Sequence, residues 1–394
     1  MKKIELQTIL EKVTYKSPKI PSKDYQTYGK YPIIAQDADK FISGYTNESN
    51  PITENPLIIF GDHSCSLKYV NFPFFRGADG TQVLKINSEH NSRFIYYSIL
   101  SVIEQLPNYQ KYERHFKYLK EMIIPTFDLP TQTQIAAILS SLDDKIELNN
   151  RIASVLERMM REIYDYWFVQ FDFPDENGKP YQSNGGKMTY NPQLKRNIPQ
   201  GWEVKKLGDL CSLMNGVNYN KEDLGDKKYK IVNVRNITAS SLLLDDSNFD
   251  AINLKSTLAD KYLIENNDIL IARSGTPGAV RILPYANNDT IFCGFIIRCK
   301  PNDIVYKNYL TYSLKMLEGT NAMVTGGSIL KNVSQETLKR NYILLPKNNL
   351  LDKFNTITNT IIKEMEYTTK QTQTLTALRD FLLPLLMNGQ VSVQ

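Results

Sequence analysis

The sequence predicts an α+β protein with a pseudo-two-fold internal repeat, in which two α/β blocks are held apart by two long antiparallel helices that pair as a coiled coil. Three observations point there. A Leu-Lys pair, a short apolar run ending in proline and a long helical pattern occur twice, first as Leu119-Lys120 and Ile123-Ile124-Pro125, then as Leu338-Lys339 and Leu344-Leu345-Pro346. Along the first long pattern the apolar positions Ile135, Ile138, Leu142, Ile146, Ile152, Leu156, Met159, Ile163 and Trp167 recur largely three and four apart, as one helix face requires. The second carries Phe354, Ile357, Ile361, Met365, Gln371, Leu375, Leu378, Leu382 and Leu386, each 219 residues on and without a gap.

Within each block a buried strand runs into a turn: Leu57-Ile58-Ile59-Phe60-Gly61-Asp62 in the first, Asp268-Ile269-Leu270-Ile271-Ala272-Arg273 in the second. Val83-Leu84-Lys85-Ile86 and Phe295-Ile296-Ile297-Arg298 fit the returning strands, and residues 94–104 and 309–317 fit short helices. Thr131 with Gln134 after Pro130 predicts a capping box for the first long helix, and Asn349 is expected to cap the second. Roughly 36 helical residues span about 54 Å, so each helix needs a partner, and the other copy supplies one. Asn149 and Thr368 fall at equivalent polar seam positions, where a buried polar residue fixes register. Pro384, standing where the first copy has Asp165, should kink or end the second helix. The expected division is 1–130 and 201–348 for the blocks, 131–170 and 349–394 for the long helices, and a Pro-, Gly- and Asn-rich connecting loop over 171–200.

Composition limits the function classes. With 394 residues, 42% hydrophobic and 23% charged, the chain suits a soluble protein of two or three domains. It lacks a long apolar run, and Met1-Lys2-Lys3-Ile4-Glu5 lacks the apolar stretch of a signal peptide, so a cytoplasmic protein without membrane contact is expected. Cys65, Cys211, Cys293 and Cys299 are scattered away from His63, His90 and His115, so no metal site is expected. The net charge of +5 is mild, and any basic surface must be local. Asn71-Phe72-Pro73-Phe74 superficially resembles the Asn-Pro-Pro-Phe loop of adenine methyltransferases, but Phe72 replaces the first proline and no glycine-rich cofactor loop precedes it. Nor is Gly185-Gly186-Lys187-Met188 a phosphate loop, because Tyr181 stands where its first glycine belongs and Met188 has no hydroxyl. A non-catalytic chain with no cofactor of its own is expected.

Four runs carry a family resemblance. They are Gln134-Ile135-Ala136-Ala137-Ile138-Leu139-Ser140-Ser141-Leu142-Asp143-Asp144-Lys145-Ile146-Glu147-Leu148-Asn149-Asn150, Trp167-Phe168-Val169-Gln170-Phe171-Asp172-Phe173, Gly185-Gly186-Lys187-Met188 and Ile198-Pro199-Gln200-Gly201-Trp202-Glu203-Val204. Together they resemble the central conserved region of type I restriction-modification specificity (S) subunits, and with the repeat the resemblance covers the whole chain. It implies two target recognition domains on conserved helices and double-stranded DNA as ligand. It also implies two methyltransferase (M) subunits that flip and methylate an adenine in each half-site with S-adenosylmethionine, and restriction (R) subunits that use ATP and Mg. The two blocks differ in sequence, so the target is expected to be bipartite and asymmetric. Helices of about 54 Å against roughly 34 Å per turn of B-DNA predict an uncontacted spacer.

The candidate DNA-binding residues fall in matching places. Asn108-Tyr109-Gln110-Lys111-Tyr112-Glu113-Arg114-His115 precedes the first Leu-Lys pair and supplies Tyr109, Lys111, Tyr112 and Arg114 for base and phosphate contacts. Ahead of the second pair, Thr325-Gly326-Gly327-Ser328-Ile329-Leu330-Lys331-Asn332 offers Gly327, Ser328 and Lys331. Arg76 and Arg273, with Ser274, lie on expected turns. Asp143, Asp144, Glu147 and Arg151 on the first helix are candidates for partner docking rather than metal binding. Each has an ordinary alternative as a solvated charge or an internal ion pair. The competing reading of the whole chain is a coiled-coil scaffold that binds proteins without reading DNA.

Overall fold

The computed structural model describes residues 1–77, 80–106, 114–284, 288–320 and 332–393. It comprises two compact units, Met1–Glu147 with Thr374–Gln394, and Leu148–Gln373.

The first unit contains β1 (Lys2–Glu5), β2 (Leu10–Glu11), β3 (Tyr31–Ile34), β4 (Gly44–Thr46), β5 (Leu57–Gly61), β6 (Leu67–Val70), β7 (Phe75–Arg76), β8 (Thr81–Ile86), α1 (Ser92–Leu100), α2 (Phe116–Glu121), β9 (Ile123–Thr126) and the first half of α3 (Leu129–Tyr164). Strand β5 is buried along its whole length, as its continuous apolar run requires. Its side chains alternate. Ile58 and Phe60 pack with Phe94, Ile95 and Ile99 of α1, while Leu57 and Ile59 pack with Ile34, Val70 and Phe74 on the other side. The sheets run β2-β8-β5-β6, β4-β3-β7 and β1-β9.

The second unit repeats this plan. After the hairpin β10 (Met188–Asn191) and β11 (Arg196–Pro199) come β12 (Glu203–Lys206), α4 (Leu207–Leu210), β13 (Cys211–Asn215), β14 (Leu224–Val232), α5 (Val234–Ala239), β15 (Asp250–Leu254), α6 (Ser256–Ala259), β16 (Ile269–Ala272), β17 (Val280–Ile282), β18 (Thr290–Phe292), β19 (Ile296–Pro301), α7 (Lys307–Lys315), α8 (Gln335–Arg340), β20 (Tyr342–Leu345) and α9 (Asn348–Met387). Its sheets run β13-β19-β16-β17, β15-β14-β18 and β12-β20. Each three-stranded sheet contains one parallel pair, β3 with β7 and β14 with β18. Strands β6 and β17 pair beside the central strands, between the segments that the sequence pattern singles out. The stretch expected as a connecting loop holds β10 and β11 instead. Aromatic anchors at its ends fold it, with Phe173 stacked on Trp202 at 5.2 Å and on Tyr181 at 4.6 Å.

Helices α3 and α9 pack antiparallel in both units. In the first, Arg379 Nη1 donates to Asp143 at 3.1 Å, and Ile135 and Leu139 share a core with Leu386 and Met387. In the second, Asn149 Nδ2 donates to Gln371 at 2.9 Å, and Phe354 meets Phe168 at 5.0 Å. The expected seam is rotated in part. Met159, Ile357 and Leu378 are exposed, while Met160 and Tyr164 are buried, because the end of α3 also packs on the second block, with Tyr164 against Tyr309 and Tyr312 of α7. Asn149 and Thr368 are both buried, but Thr368 turns its hydroxyl onto the Glu364 carbonyl at 2.7 Å.

The caps differ from expectation. Helix α3 starts at Leu129, so Asp128 caps it by accepting the Thr131 N–H at 3.1 Å. Those bonds, led by the Thr131 hydroxyl, hold the Asp128 carboxyl below its ordinary pKa. Because α9 starts at Asn348, Asn349 lies inside the first turn. Pro384 does not end α9, which runs on to Met387; at the equivalent place the first copy passes into a π-helical turn, Asp165–Val169.

Candidate nucleic-acid interface

In the first unit three loop segments meet at Asp62, the residue after β5. Its backbone N–H donates to the Gly80 carbonyl at 2.7 Å, and its carbonyl accepts the His115 N–H at 3.0 Å. The carboxylate, 1% exposed, accepts the Phe116 N–H at 2.8 Å and the Gln82 amide at 3.3 Å. Buried donors paired in this way fix the turn, the start of β8 and the start of α2 together. Around this anchor, the Gln36 side chain accepts the His63 N–H at 3.3 Å, and its carbonyl accepts the hydroxyls of Ser64 and Ser66. Lys68 Nζ donates to the carbonyls of Ala35 and Lys40. Burial pulls the Lys68 pKa down, consistent with an ammonium taken out of water and held by carbonyl dipoles.

The second unit makes the same backbone knot with another residue. Arg273 follows β16 as Asp62 follows β5. Its N–H donates to the Phe295 carbonyl at 2.9 Å, and its carbonyl accepts the Val333 N–H at 3.0 Å. The guanidinium Nη1 donates to the Gly294 carbonyl at 3.0 Å. Beside it Ser274 is half-buried, and the Thr276 and Thr238 hydroxyls are 3.0 Å apart. Arg235 is ion-paired with Asp250, which also accepts from Asn233 at 2.8 Å. Asn218 and Tyr219 are exposed on the loop after β13.

The candidate residues fare differently. Arg76 is not on a turn. It lies in β7, opposite Ile34, with its guanidinium 6.0 Å from the Tyr15 ring centre and a weak 3.5 Å bond to the Ser17 carbonyl. Burial pulls its pKa down. The strand register explains this, because the corresponding position of β18 is the fully buried Phe292. Arg114 is exposed immediately before the Asp62 anchor. Tyr109, Lys111, Tyr112, Gly327, Ser328 and Lys331 lie outside the described residues.

On α3, Asp144, Glu147 and Arg151 are exposed. Asp143 is engaged internally, bonded by the Tyr97 hydroxyl and by Arg379, with Arg93 at 3.7 Å. Sequence reasoning singles out neither the buried anchor Asp62 nor the exposed Phe295. The first shows only a turn signal in the sequence, and the second has the apolar identity of a strand residue. Strand β19 in fact starts at Ile296, and Phe295 is 61% exposed. Among the described residues no group of three or more His, Cys, Asp or Glu is placed to hold a metal, and no helix is long and apolar enough to cross a membrane.

A family model described as the type I restriction modification DNA specificity domain matches residues 1–158 and 199–375. The type I restriction enzyme MjaIX specificity subunit of Methanocaldococcus jannaschii is 27% identical over 282 residues, covering 70% of this chain and 62% of that protein. The HindI specificity subunit of Haemophilus influenzae is 24% identical over 318 residues, covering 67% of this chain and 68% of that protein. The chain thus spans about two thirds of the length of these relatives. A crystal structure of a type I restriction-modification S subunit from M. genitalium shares the fold, with a TM-score of 0.58 at 18% identity over 98% of this chain and 96% of that one.

Proposed function

The chain belongs to the type I restriction modification DNA specificity domain family, and from that membership we propose that it is the sequence-reading subunit of a type I restriction-modification complex. It binds double-stranded DNA at a bipartite asymmetric target and carries out no chemistry itself. Two methyltransferase subunits bring S-adenosylmethionine, and restriction subunits bring ATP and Mg. In this reading residues 1–130 and 201–348 are the recognition domains, 131–170 and 349–394 the conserved helices, and 171–200 the linker.

The observation that carries the reading is the duplicated loop anchor. The same sheet order and the same two backbone bonds anchor the loops of both blocks, while the anchor residue differs, Asp62 buried in the first and Arg273 partly exposed in the second, as one frame carrying two half-site readers of different sequence would have. Arg114, Arg273 and Ser274 are the described residues of the proposed DNA surface, joined in this reading by Tyr109, Lys111, Tyr112, Gly327, Ser328 and Lys331, which precede α2 and α8 in the sequence. Exposed apolar side chains on the long helices, among them Val155, Met159, Tyr367 and Phe381, fit partner docking, with Asp144, Glu147 and Arg151 as polar rim.

Competition binding tests the reading. The complex with its methyltransferase should retain one labelled duplex against a large excess of unrelated DNA and lose it to the unlabelled target. Equal competition by all duplexes would leave a protein-binding scaffold in its place.

A further inference from the structure

Phe295 is held out into solvent by a backbone that has little freedom to withdraw it. The carbonyl before it, on Gly294, is fixed by the Arg273 guanidinium at 3.0 Å, and its own carbonyl by the Arg273 N–H at 2.9 Å. Asn218 packs closely against Gly294, where a Cβ would lie 1.9 Å from Asn218 Oδ1, so the turn keeps this approach only with glycine there. Its neighbour Ile296 is fully buried in β19, so the turn cannot roll the ring inward without expelling a core residue. A ring 61% exposed on so constrained a turn leaves apolar surface in water, which is unfavourable unless a ligand covers it. Its neighbours Arg273, Ser274, Asn218 and Tyr219 suit a polyanion, and a duplex step opened by unstacking offers the ring a heteroaromatic face.

In the first unit the equivalent position is Gly80, which gives the matching carbonyl to Asp62. It has φ +94°, and a Cβ there would meet Gln36 Oε1 at 2.8 Å. No ring can be presented at that place.

We propose that Phe295 is a base-stacking residue of the second recognition block, inserting at a step of its half-site that opens on binding and covering the base face exposed there, with no counterpart at Gly80 in the first. This rests on the DNA-reading function above.

The test uses the assembled complex with its methyltransferase, the target found by competition, and the variants Phe295→Ala, Phe295→Leu and Phe295→Trp. Stacking predicts a loss of roughly ten- to a hundredfold in specific affinity for the alanine variant. The leucine variant should recover little and the tryptophan variant most of it. The slope of log affinity against log salt should stay unchanged, because no phosphate contact is lost. Permanganate should oxidise thymines in the second half-site more strongly with wild type than with Phe295→Ala, because the ring holds its step unstacked. Unchanged affinity in Phe295→Ala overturns the proposal while leaving DNA reading intact. Loss of complex assembly in the absence of DNA also overturns it, by making the ring a protein contact. If wild type itself shows no sequence preference, the underlying reading fails first.

Discussion

Asp62 and Arg273 occupy the same backbone position in two related blocks, each giving its N–H to the segment before the returning strand and its carbonyl to the segment before the short helix. Their side chains do different work. The buried Asp62 carboxylate pairs the Phe116 N–H, whereas the half-buried Arg273 guanidinium pairs a neighbouring carbonyl. The difference teaches that shared main-chain bonds and buried strands keep one frame while the anchor side chain takes a different role in each block, supporting the frame from within at Asp62 and lying partly exposed at Arg273. A second contrast runs along the helices. Tyr97 of α1 bonds Asp143 within a cluster that includes Arg93 and Arg379. Tyr312 holds the equivalent place on α7, but its buried hydroxyl has no hydrogen-bond partner among the described residues, and the residue at the position of Asp143 is Ile362, packed in the apolar core.

Substitutions can break or sharpen these contrasts. The largest effect is expected at the helix seam, where Phe354 is fully buried among Tyr164, Trp167 and Phe168 and its repeat equivalent is Ile135. Phe354→Ala should lower unfolding free energy by about 4 kcal/mol and Ile135→Ala by about 3 kcal/mol. Urea titration reads both, and a larger loss at Ile135 would contradict the packing described. At the anchors, Asp62→Ala leaves buried donors unpaired and should cost about 2 kcal/mol. Arg273→Ala should cost under about 1 kcal/mol. Equal costs would mean that the two side chains support the frame alike.

A pH series separates the central strands. Asp268, just before β16, is 0% exposed, and burial raises its pKa despite the Glu265 N–H bond and Arg298 at 3.7 Å. A carboxyl whose folded pKa is raised stabilises below its unfolded pKa of about 3.9 and loses that contribution as pH rises through the folded value. The Tm difference between Asp268→Asn and wild type should therefore move in favour of the variant between pH 4 and pH 7, by an amount on the order of a few degrees. A difference independent of pH would show that Asp268 stays ionised throughout. The first unit has the apolar Leu57 at the corresponding place. The smallest effect belongs to Tyr312→Phe, expected within about 0.5 kcal/mol of wild type, against a loss of about 1 kcal/mol for Tyr97→Phe. A costly Tyr312→Phe would reveal a partner for that hydroxyl.

The repeat and its helices were legible because a buried helix face leaves a period that survives over some 36 residues. Leu129–Tyr164 is indeed 36 residues long. The short pairing strands were not legible, since β17 has three residues, too few to show a period of two. Arg76 beside a glycine reads as a turn, and only its pairing with Ile34 reveals a strand. The exposure of Phe295 was equally hidden, because apolar identity alone cannot say which residue of a run precedes the first ladder bond. Asp143 reads as a surface acid, but its partners Tyr97 and Arg379 lie 46 and 236 residues away, beyond any local pattern.

The central claim, that this chain selects the DNA sequence for a partner enzyme, is tested most directly by mapping methylation across the genome of a host that expresses the chain with its methyltransferase, compared with the same host lacking the chain. The account predicts N6-methyladenine at one bipartite asymmetric motif only when the chain is present. Unchanged methylation without the chain, with expression and complex formation verified, would contradict it.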